Sequence, residues 1–190
     1  MILIVDNHSK NVPYIKNILD KLNVKYIVKD QKSLFKNFEE KNIKGVILSG
    51  GGPLLDKKIH FKKIRADISC LINYTVPILG ICEGHEIIGH ACGGELVKLK
   101  KKARYTNLKL NILNKTKIFK GLPDTIEVYE HHSRYVKNVP DDLIIAASSK
   151  KDKIEAVFHK KRPIFGVQFH PEKSGKAGEK IFKNFVELCK

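Results

Sequence analysis

The stretch PILGICEGHE at residues 77–86 carries the strongest structural signal in this sequence of 190 residues. Its first half is an apolar run typical of a buried strand, and its second half has the spacing of a helix. Cys82 therefore lies at an abrupt turn from strand to helix, between Gly80 and Gly84. The positive end of a helix favours a thiolate, so this turn predicts a nucleophilic cysteine. A buried structural role is the better interpretation for the other three cysteines, which are Cys70, Cys92 and Cys189.

Strands and helices alternate around this turn in the first half of the chain. Apolar strands are predicted at 2–5, 26–28, 46–48 and 77–81, and amphipathic helices at 12–22, 32–41, 59–73 and 83–92. The second half predicts strands at 108–112, 126–129, 143–147, 154–158 and 164–169, and a closing helix at 176–188. Uniformly apolar strands separated by helices indicate a parallel sheet that is covered on both faces. We therefore predict an α/β fold with a mostly parallel central sheet, a smaller antiparallel or mixed extension, and one domain over residues 1–190.

The second informative stretch is GVQFHPE at residues 166–172. His170 follows an apolar strand, and Pro171 ends strand pairing because it has no N–H to donate. If the side chains of His170 and Glu172 point the same way, the carboxylate can hold one imidazole nitrogen while the other faces a thiol. The stretch thus predicts a base and its orienting carboxylate. A structural role is the better interpretation for the histidines without such a setting, which are His8, His60, His85, His90 and His159.

A glycine-rich loop, SGGGP at residues 49–53, directly follows the third predicted strand. The carboxyl ends of parallel strands share one edge of a sheet, so this loop is expected beside Cys82. The N–H groups of Gly50, Gly51 and Gly52, with that of Glu83, could form an oxyanion hole. A phosphate-binding loop and a plain turn are the alternatives, but no Gly-Lys-Ser/Thr follows.

Taken together, these motifs make the whole chain resemble the class I, or triad-type, glutamine amidotransferases. The G-I-C-x-G-x-Q elbow of that family matches residues 80–85, and its G-V-Q-F-H-P-E motif matches residues 166–172 in full. The resemblance implies that Cys82 attacks the side-chain amide of L-glutamine, that His170 transfers protons and that Glu172 orients it. A glutamyl thioester would then release ammonia and glutamate without any cofactor or metal. Because no nucleotide-binding motif is present, the ammonia would pass to a separate ATP-pyrophosphatase (synthetase) subunit in a heteromer.

The resemblance leaves the acceptor of the ammonia open. Within the family the chain is most similar to the free-standing glutaminase subunits of archaeal GMP synthetases, which serve the conversion of XMP to GMP. The loop EHHSRY at 130–135 supplies the candidate substrate-binding residues His132, Ser133 and Arg134. GMP synthetases usually have S-H-x-D there, and the His-Ser pair is nearer to the glutaminase subunits of anthranilate and aminodeoxychorismate synthases.

The elbow departs from the family pattern at Glu86, where glutamine is usual. A glutamine side chain helps to bind the substrate, and a glutamate in its ionised form lacks the two N–H donors. Ionised Glu86 would also repel the substrate carboxylate and raise the pKa of Cys82, and Glu83 adds a second charge. These acids indicate either a weak or altered glutaminase or a hydrolase of another γ-glutamyl amide. A non-catalytic regulatory role is disfavoured because Cys82, His170 and Glu172 are all present.

The composition excludes several other classes of protein. The chain has 36 Lys and Arg against 20 Asp and Glu, a net charge of +16, but these residues are spread along it without a basic helix or an aromatic RNA-binding motif. Nucleic-acid binding is therefore disfavoured. The four cysteines form no CxxC pair, no apolar run approaches the ~20 residues of a membrane span, and the start lacks the basic region of a signal peptide. We expect a cytoplasmic protein with no membrane segment.

Overall fold

The computed structural model describes residues 1–33, 42–51, 61–99, 106–150 and 153–190. The strands are β1 Ile2–Asn7, β2 Tyr26–Asp30, β3 Gly45–Gly51, β4 Ile78–Ile81, β5 Leu96–Lys98, β6 Thr106–Ile112, β7 Thr125–Glu130, β8 Arg134–Val136, β9 Leu143–Ser149, β10 Ala156–His159 and β11 Ile164–Val167. The α-helices are α1 Val12–Lys21, α2 Phe61–Asn73, α3 Glu83–Ala91 and α4 Gly175–Leu188. Two short 3-10 helices lie at Lys117–Phe119 and Pro171–Lys173. The predicted helix at 32–41 lies mostly outside the described residues.

Nine strands form one sheet in the order β2-β1-β3-β4-β11-β10-β9-β6-β7. The first five pair in parallel, whereas β11, β10, β9, β6 and β7 pair antiparallel. Strands β5 and β8 form a separate two-stranded sheet. The predicted fold class, a mostly parallel sheet with an antiparallel extension, is confirmed.

The helices cover both faces of the sheet, and strand β1 shows the division most clearly. Ile2 and Ile4 pack into a buried cluster with residues of α1 and α4. Leu3 and Val5 point to the opposite face and pack with residues of α2 and α3. Because successive side chains of a strand alternate between faces, an apolar strand of this kind requires cover on both sides.

The predicted strand at 164–169 is too long, since β11 ends at Val167. Its neighbour β4 ends at the elbow, where the Cys82 N–H donates to the Val167 carbonyl at 2.8 Å. The chain then moves toward the antiparallel half of the sheet, and the His170 N–H donates to the Tyr129 carbonyl at 2.8 Å. This change of partner carries His170 across the end of β4 to the elbow. Strands β5 and β8 were not predicted because three residues are too few to show a period of two.

Helix α4 packs tightly against the segment that follows His170. A Cβ atom added to Gly178 would lie 1.8 Å from the Pro171 carbonyl oxygen. We predict that Gly178→Ala destabilises the protein by about 1–3 kcal/mol through overpacking, although alanine is the better helix former by ~1 kcal/mol. Thermal unfolding measures this effect, and Lys176→Ala at an exposed position of the same helix is the control. Equal or higher stability of Gly178→Ala would contradict the close packing.

Candidate active site

Cys82 occupies a strained turn between β4 and α3. Its backbone angles are φ 51° and ψ −102°, a region that residues with a side chain rarely adopt. The turn is held from below, because a Cβ at Gly84 would lie 2.4 Å from the Leu48 carbonyl oxygen of β3. Only a glycine allows α3 to approach β3 this closely. Backbone strain at a buried cysteine between a strand and a helix is the geometry of a nucleophile elbow.

The structure brings the predicted base and its carboxylate to this elbow. His170 Nδ1 and Glu172 Oε1 are 2.7 Å apart, and both side chains are buried. On the other side of the ring, His170 Nε2 is 3.3 Å from the His131 carbonyl oxygen. The Cys82 thiol donates to the same oxygen at 3.6 Å. The thiol and the imidazole therefore share one backbone carbonyl.

The glycine loop lies next to these groups. A Cβ at Gly50 would lie 3.3 Å from His170 Cε1 and 3.5 Å from Cys82 Cβ. At Gly51 it would lie 2.0 Å from Glu83 Oε2, so no side chain fits there. The Ser49 hydroxyl donates to the Gly50 carbonyl at 2.8 Å and fixes that peptide. Gly52 lies outside the described residues.

A buried polar network supports the loop from behind and was not predicted from the sequence. The Asn7 N–H donates to Ser49 Oγ at 3.0 Å, and the Asn7 amide donates to Asp67 Oδ1 at 2.9 Å. The Gln31 amide donates to Asn7 Oδ1 at 2.7 Å and also to Asp67. Burial raises the pKa of Asp67 to about 6. The network links β1, β3 and α2 beneath Gly50.

The charges around Cys82 oppose its ionisation. Burial raises the pKa of the Cys82 thiol well above its usual range, and the carboxylates of Glu86, Glu83 and Glu172 raise it further. The Glu83 backbone N–H acts in the opposite direction and is outweighed. The expectation that the helix N-terminus favours a thiolate is therefore wrong for this arrangement, whereas the predicted effect of Glu86 and Glu83 is confirmed.

Glu86 is itself a buried acid with an identified donor. Its Oε1 accepts a hydrogen bond of 3.2 Å from the Gln168 side-chain amide, whose nitrogen is also 4.0 Å from Cys82 Sγ. Burial raises the pKa of Glu86, and Gln168, His132 and Arg134 offset part of the rise. Gln168 belongs to the quoted motif at 166–172, but its contact with Glu86 was not predicted.

The loop after β7 places the remaining predicted residues around the same space. His132 Nε2 lies 2.5 Å from Glu130 Oε1, and its Nδ1 contacts the Arg134 carbonyl oxygen. Burial disfavours the imidazolium, but the Glu130 carboxylate outweighs burial and raises the pKa of His132. Both ring nitrogens thus have partners within the protein, which favours a supporting role over direct contact with substrate.

An open cleft of about 440 Å³ connects these groups, a size suited to a small ligand. Its lining includes most of the predicted site residues and several that were not predicted: His8, Ser9, Lys10, Asn11, Gly51, Cys82, Glu83, Glu86, Tyr129, His131, His132, Ser133, Arg134, His170 and Lys173. Among the described residues, no three His, Cys, Asp or Glu side chains group as metal ligands. No helix of the described part of the chain has the length and apolar character to cross a membrane.

Comparison with known proteins identifies the class to which this fold and cleft belong. The sequence model described as "Glutamine amidotransferase class-I" matches residues 3–189. The chain belongs to the class I glutamine amidotransferase family. A glutamine amidotransferase from Thermotoga maritima shares the fold, with a TM-score of 0.76 over 98% of this chain and 82% of that one, at 17% identity.

More similar relatives within the family have a narrower description. The chain is 36% identical to the glutamine-hydrolysing subunit of the GMP synthase of Methanosphaera stadtmanae, over 99% of this chain and 97% of the relative. It is 37% identical to the subunit of the same name from Pyrococcus abyssi, over 100% and 98%. The crystal structure of a Thermoplasma acidophilum protein that carries the name of this GMP synthase subunit superposes with a TM-score of 0.88 at 33% identity, over 99% and 92%.

The charges at the elbow generate a test by alkylation. Replacing Glu86 by glutamine removes a negative charge beside the thiol, which lowers the pKa of Cys82 and increases its thiolate fraction at pH 8. We predict that iodoacetamide modifies Cys82 roughly three- to tenfold faster in Glu86→Gln, measured by peptide mass spectrometry. Glu127→Gln, at an exposed position of β7, is the matched control. Equal rates in the wild type and in Glu86→Gln would show that Glu86 is uncharged or shielded from the thiol.

Proposed function

We propose that this chain is the glutaminase subunit of a GMP synthetase, which hydrolyses L-glutamine and delivers ammonia to an ATP-pyrophosphatase subunit for the amination of XMP. The observation that carries the proposal is the convergence of Cys82, the His170–Glu172 pair and the Gly50 loop at one strained elbow. The names of the relatives above favour GMP synthesis over the anthranilate and aminodeoxychorismate synthases.

The proposed chemistry is acyl transfer through a thioester. Cys82 Sγ attacks the side-chain carbonyl carbon of glutamine, and His170 takes the thiol proton and donates it to the departing ammonia. Glu172 holds Nδ1 of His170, so that Nε2 is the nitrogen that exchanges protons with the thiol. Water then attacks the thioester, with His170 again as base, and releases glutamate.

The oxyanion of the tetrahedral intermediate needs donors at the edge of the sheet. The N–H of Glu83 lies at the N-terminus of α3, directly after Cys82. Ser49 holds the Gly50 carbonyl, and the N–H of the same trans peptide, which belongs to Gly51, points the opposite way. The Gly51 and Glu83 N–H groups are therefore the proposed oxyanion hole.

The resting arrangement also offers a reason for dependence on a partner. The thiol is held in its neutral form, and it shares the His131 carbonyl with His170. Proton transfer from Cys82 to His170 requires the two groups to face each other instead. A synthetase subunit that shifts the loop after β7 would supply that change, and glutamine would not be wasted in its absence.

The experiment measures glutamate release by the chain alone and with an archaeal ATP-pyrophosphatase subunit, XMP and ATP. We expect slow hydrolysis alone, stimulation by the complete mixture, and a loss of at least roughly 10³-fold in Cys82→Ala because the nucleophile is removed. Cys92→Ala is the control and should retain activity. A diazo-ketone analogue of glutamine should label Cys82 alone. Labelling at another cysteine, or activity in Cys82→Ala, would refute the assignment, and stimulation only by a chorismate-using synthase would change the acceptor.

Glu86 favours a second candidate, the hydrolysis of a different γ-glutamyl amide. Ionised Glu86 can only accept hydrogen bonds, whereas a glutamine can also donate to the polar atoms of the substrate. If glutamine is the substrate, Glu86→Gln should raise kcat/KM for glutamine by roughly tenfold, the effect of one hydrogen bond to a charged group. An unchanged or lower value, together with faster hydrolysis of a γ-glutamyl peptide by the wild type, would favour the second candidate.

A further inference from the structure

His170 has a second side-chain partner besides Glu172. The Asn11 carboxamide lies with Nδ2 3.0 Å from His170 Nδ1, the same ring nitrogen that faces the Glu172 carboxylate at 2.7 Å. Asn11 is far from His170 in sequence, on the loop between β1 and α1, and it belongs to none of the sequence motifs. It also lines the cleft that contains Cys82.

The side chain of Asn11 does not cap its own helix. Asn11 is the N-cap residue of α1, where an asparagine usually accepts a hydrogen bond from a backbone N–H of the first turn. Here it makes no such bond. Its backbone is nevertheless well held, because its N–H donates to Ser9 Oγ at 3.1 Å and its carbonyl accepts from Tyr14 N–H at 3.0 Å. The backbone is fixed while the carboxamide points at His170.

Asn11 and Glu172 reach the ring from two elements that are bound to each other. Lys173 Nζ lies 5.0 Å from the centroid of the Tyr14 ring on α1 and 5.1 Å from that of Tyr129 on β7. A cation between two aromatic rings holds both in place. Helix α1 is thereby fixed relative to the 3-10 helix that carries Glu172.

The proton on Nδ1 determines what the carboxamide can contribute. A neutral imidazole that accepts a proton at Nε2 must carry its own proton at Nδ1, and that proton can be shared by two acceptors. The oxygen and nitrogen of an asparagine amide exchange places by a half-turn of the group, so Oδ1 can face Nδ1 at the same distance. An amide oxygen orients the ring without adding a charge, whereas a second carboxylate would stabilise the imidazolium.

We propose that Asn11 is a positioning residue for His170, which shares the Nδ1 proton with Glu172 and so keeps Nε2 free to act on the Cys82 thiol. The inference rests on the proposed function, in which His170 is the base. Other groups face the ring or act on it electrostatically, and the test must keep them constant: Cys82, Glu86, Tyr129, His131, Glu172 and Lys173.

The first test is kinetic and uses three variants of the intact chain with its synthetase partner. Asn11→Ala should lower kcat roughly two- to tenfold, the effect of one hydrogen bond, with KM nearly unchanged. Asn11→Asp keeps the acceptor and should restore kcat at high pH, while the acidic limb of the pH profile moves up by roughly one unit because a second carboxylate stabilises the imidazolium. Asn17→Asp, at an exposed position of α1, adds the same charge away from the ring and should move neither parameter.

The second test does not depend on turnover. The ring nitrogens of His170 can be followed by NMR in the chain labelled with ¹⁵N, with a variant lacking His170 to assign the signals. We expect Nδ1 to carry the proton in the neutral wild type, and Asn11→Asp to raise the titration midpoint of His170 whereas Asn17→Asp does not. Tm of Asn11→Ala should fall by less than about 2 °C, because no helix cap is lost.

Two results would overturn the inference. The first is an unchanged midpoint in Asn11→Asp, and the second is a kcat of Asn11→Ala equal to that of the wild type. A wild type that hydrolyses no glutamine even with its partner would instead refute the proposed function. The NMR titration would still decide the role of Asn11 in that case.

Discussion

The close approach of helix α3 to strand β3 is the constraint on which the rest of the site depends. A side chain at Gly84 would collide with the Leu48 carbonyl, so α3 can begin directly at the end of β4 only with glycine at that position. That geometry forces Cys82 into a positive φ and turns its side chain out of the sheet edge. It also places Glu83 against Gly51, because both lie in the same narrow gap. The strain at Cys82 is therefore the consequence of packing that involves three strands.

Buried negative charge surrounds the nucleophile. Glu83, Glu86 and Glu172 are all buried close to the thiol, and the nearby cationic groups are His132 and Arg134. An arrangement of this kind suppresses the thiolate in the resting protein, since burial and three carboxylates act in the same direction. In a protein that supplies ammonia to a second chain, a nucleophile that is silent until its surroundings change limits the loss of glutamine. One of the carboxylates that silence Cys82, that of Glu86, is also the departure from the family pattern.

The antiparallel half of the sheet serves the site as much as the parallel half does. Its strand β7 provides the backbone partner of His170, and the loop that follows provides the His131 carbonyl next to both the thiol and the imidazole. Movement of that one loop would therefore change the contacts of the nucleophile and of the base together. The extension is the part of the fold through which a partner could act on the chemistry.

The sequence by itself determined the parallel half of the sheet, the elbow at Cys82 and the pairing of His170 with Glu172. These features depend on patterns within a few residues: apolar runs, flanking glycines, and a histidine and a glutamate separated by one proline. Only the tertiary structure decided that Asn11 contacts His170, that Asn7, Gln31 and Asp67 support the glycine loop, and that the His131 carbonyl lies between thiol and base. Such contacts join residues far apart in the chain, and a backbone carbonyl has no signature in a sequence. The state of Cys82 was likewise beyond local reasoning, because the helix terminus is a local effect whereas burial and the approach of Glu172 arise only when the chain has folded.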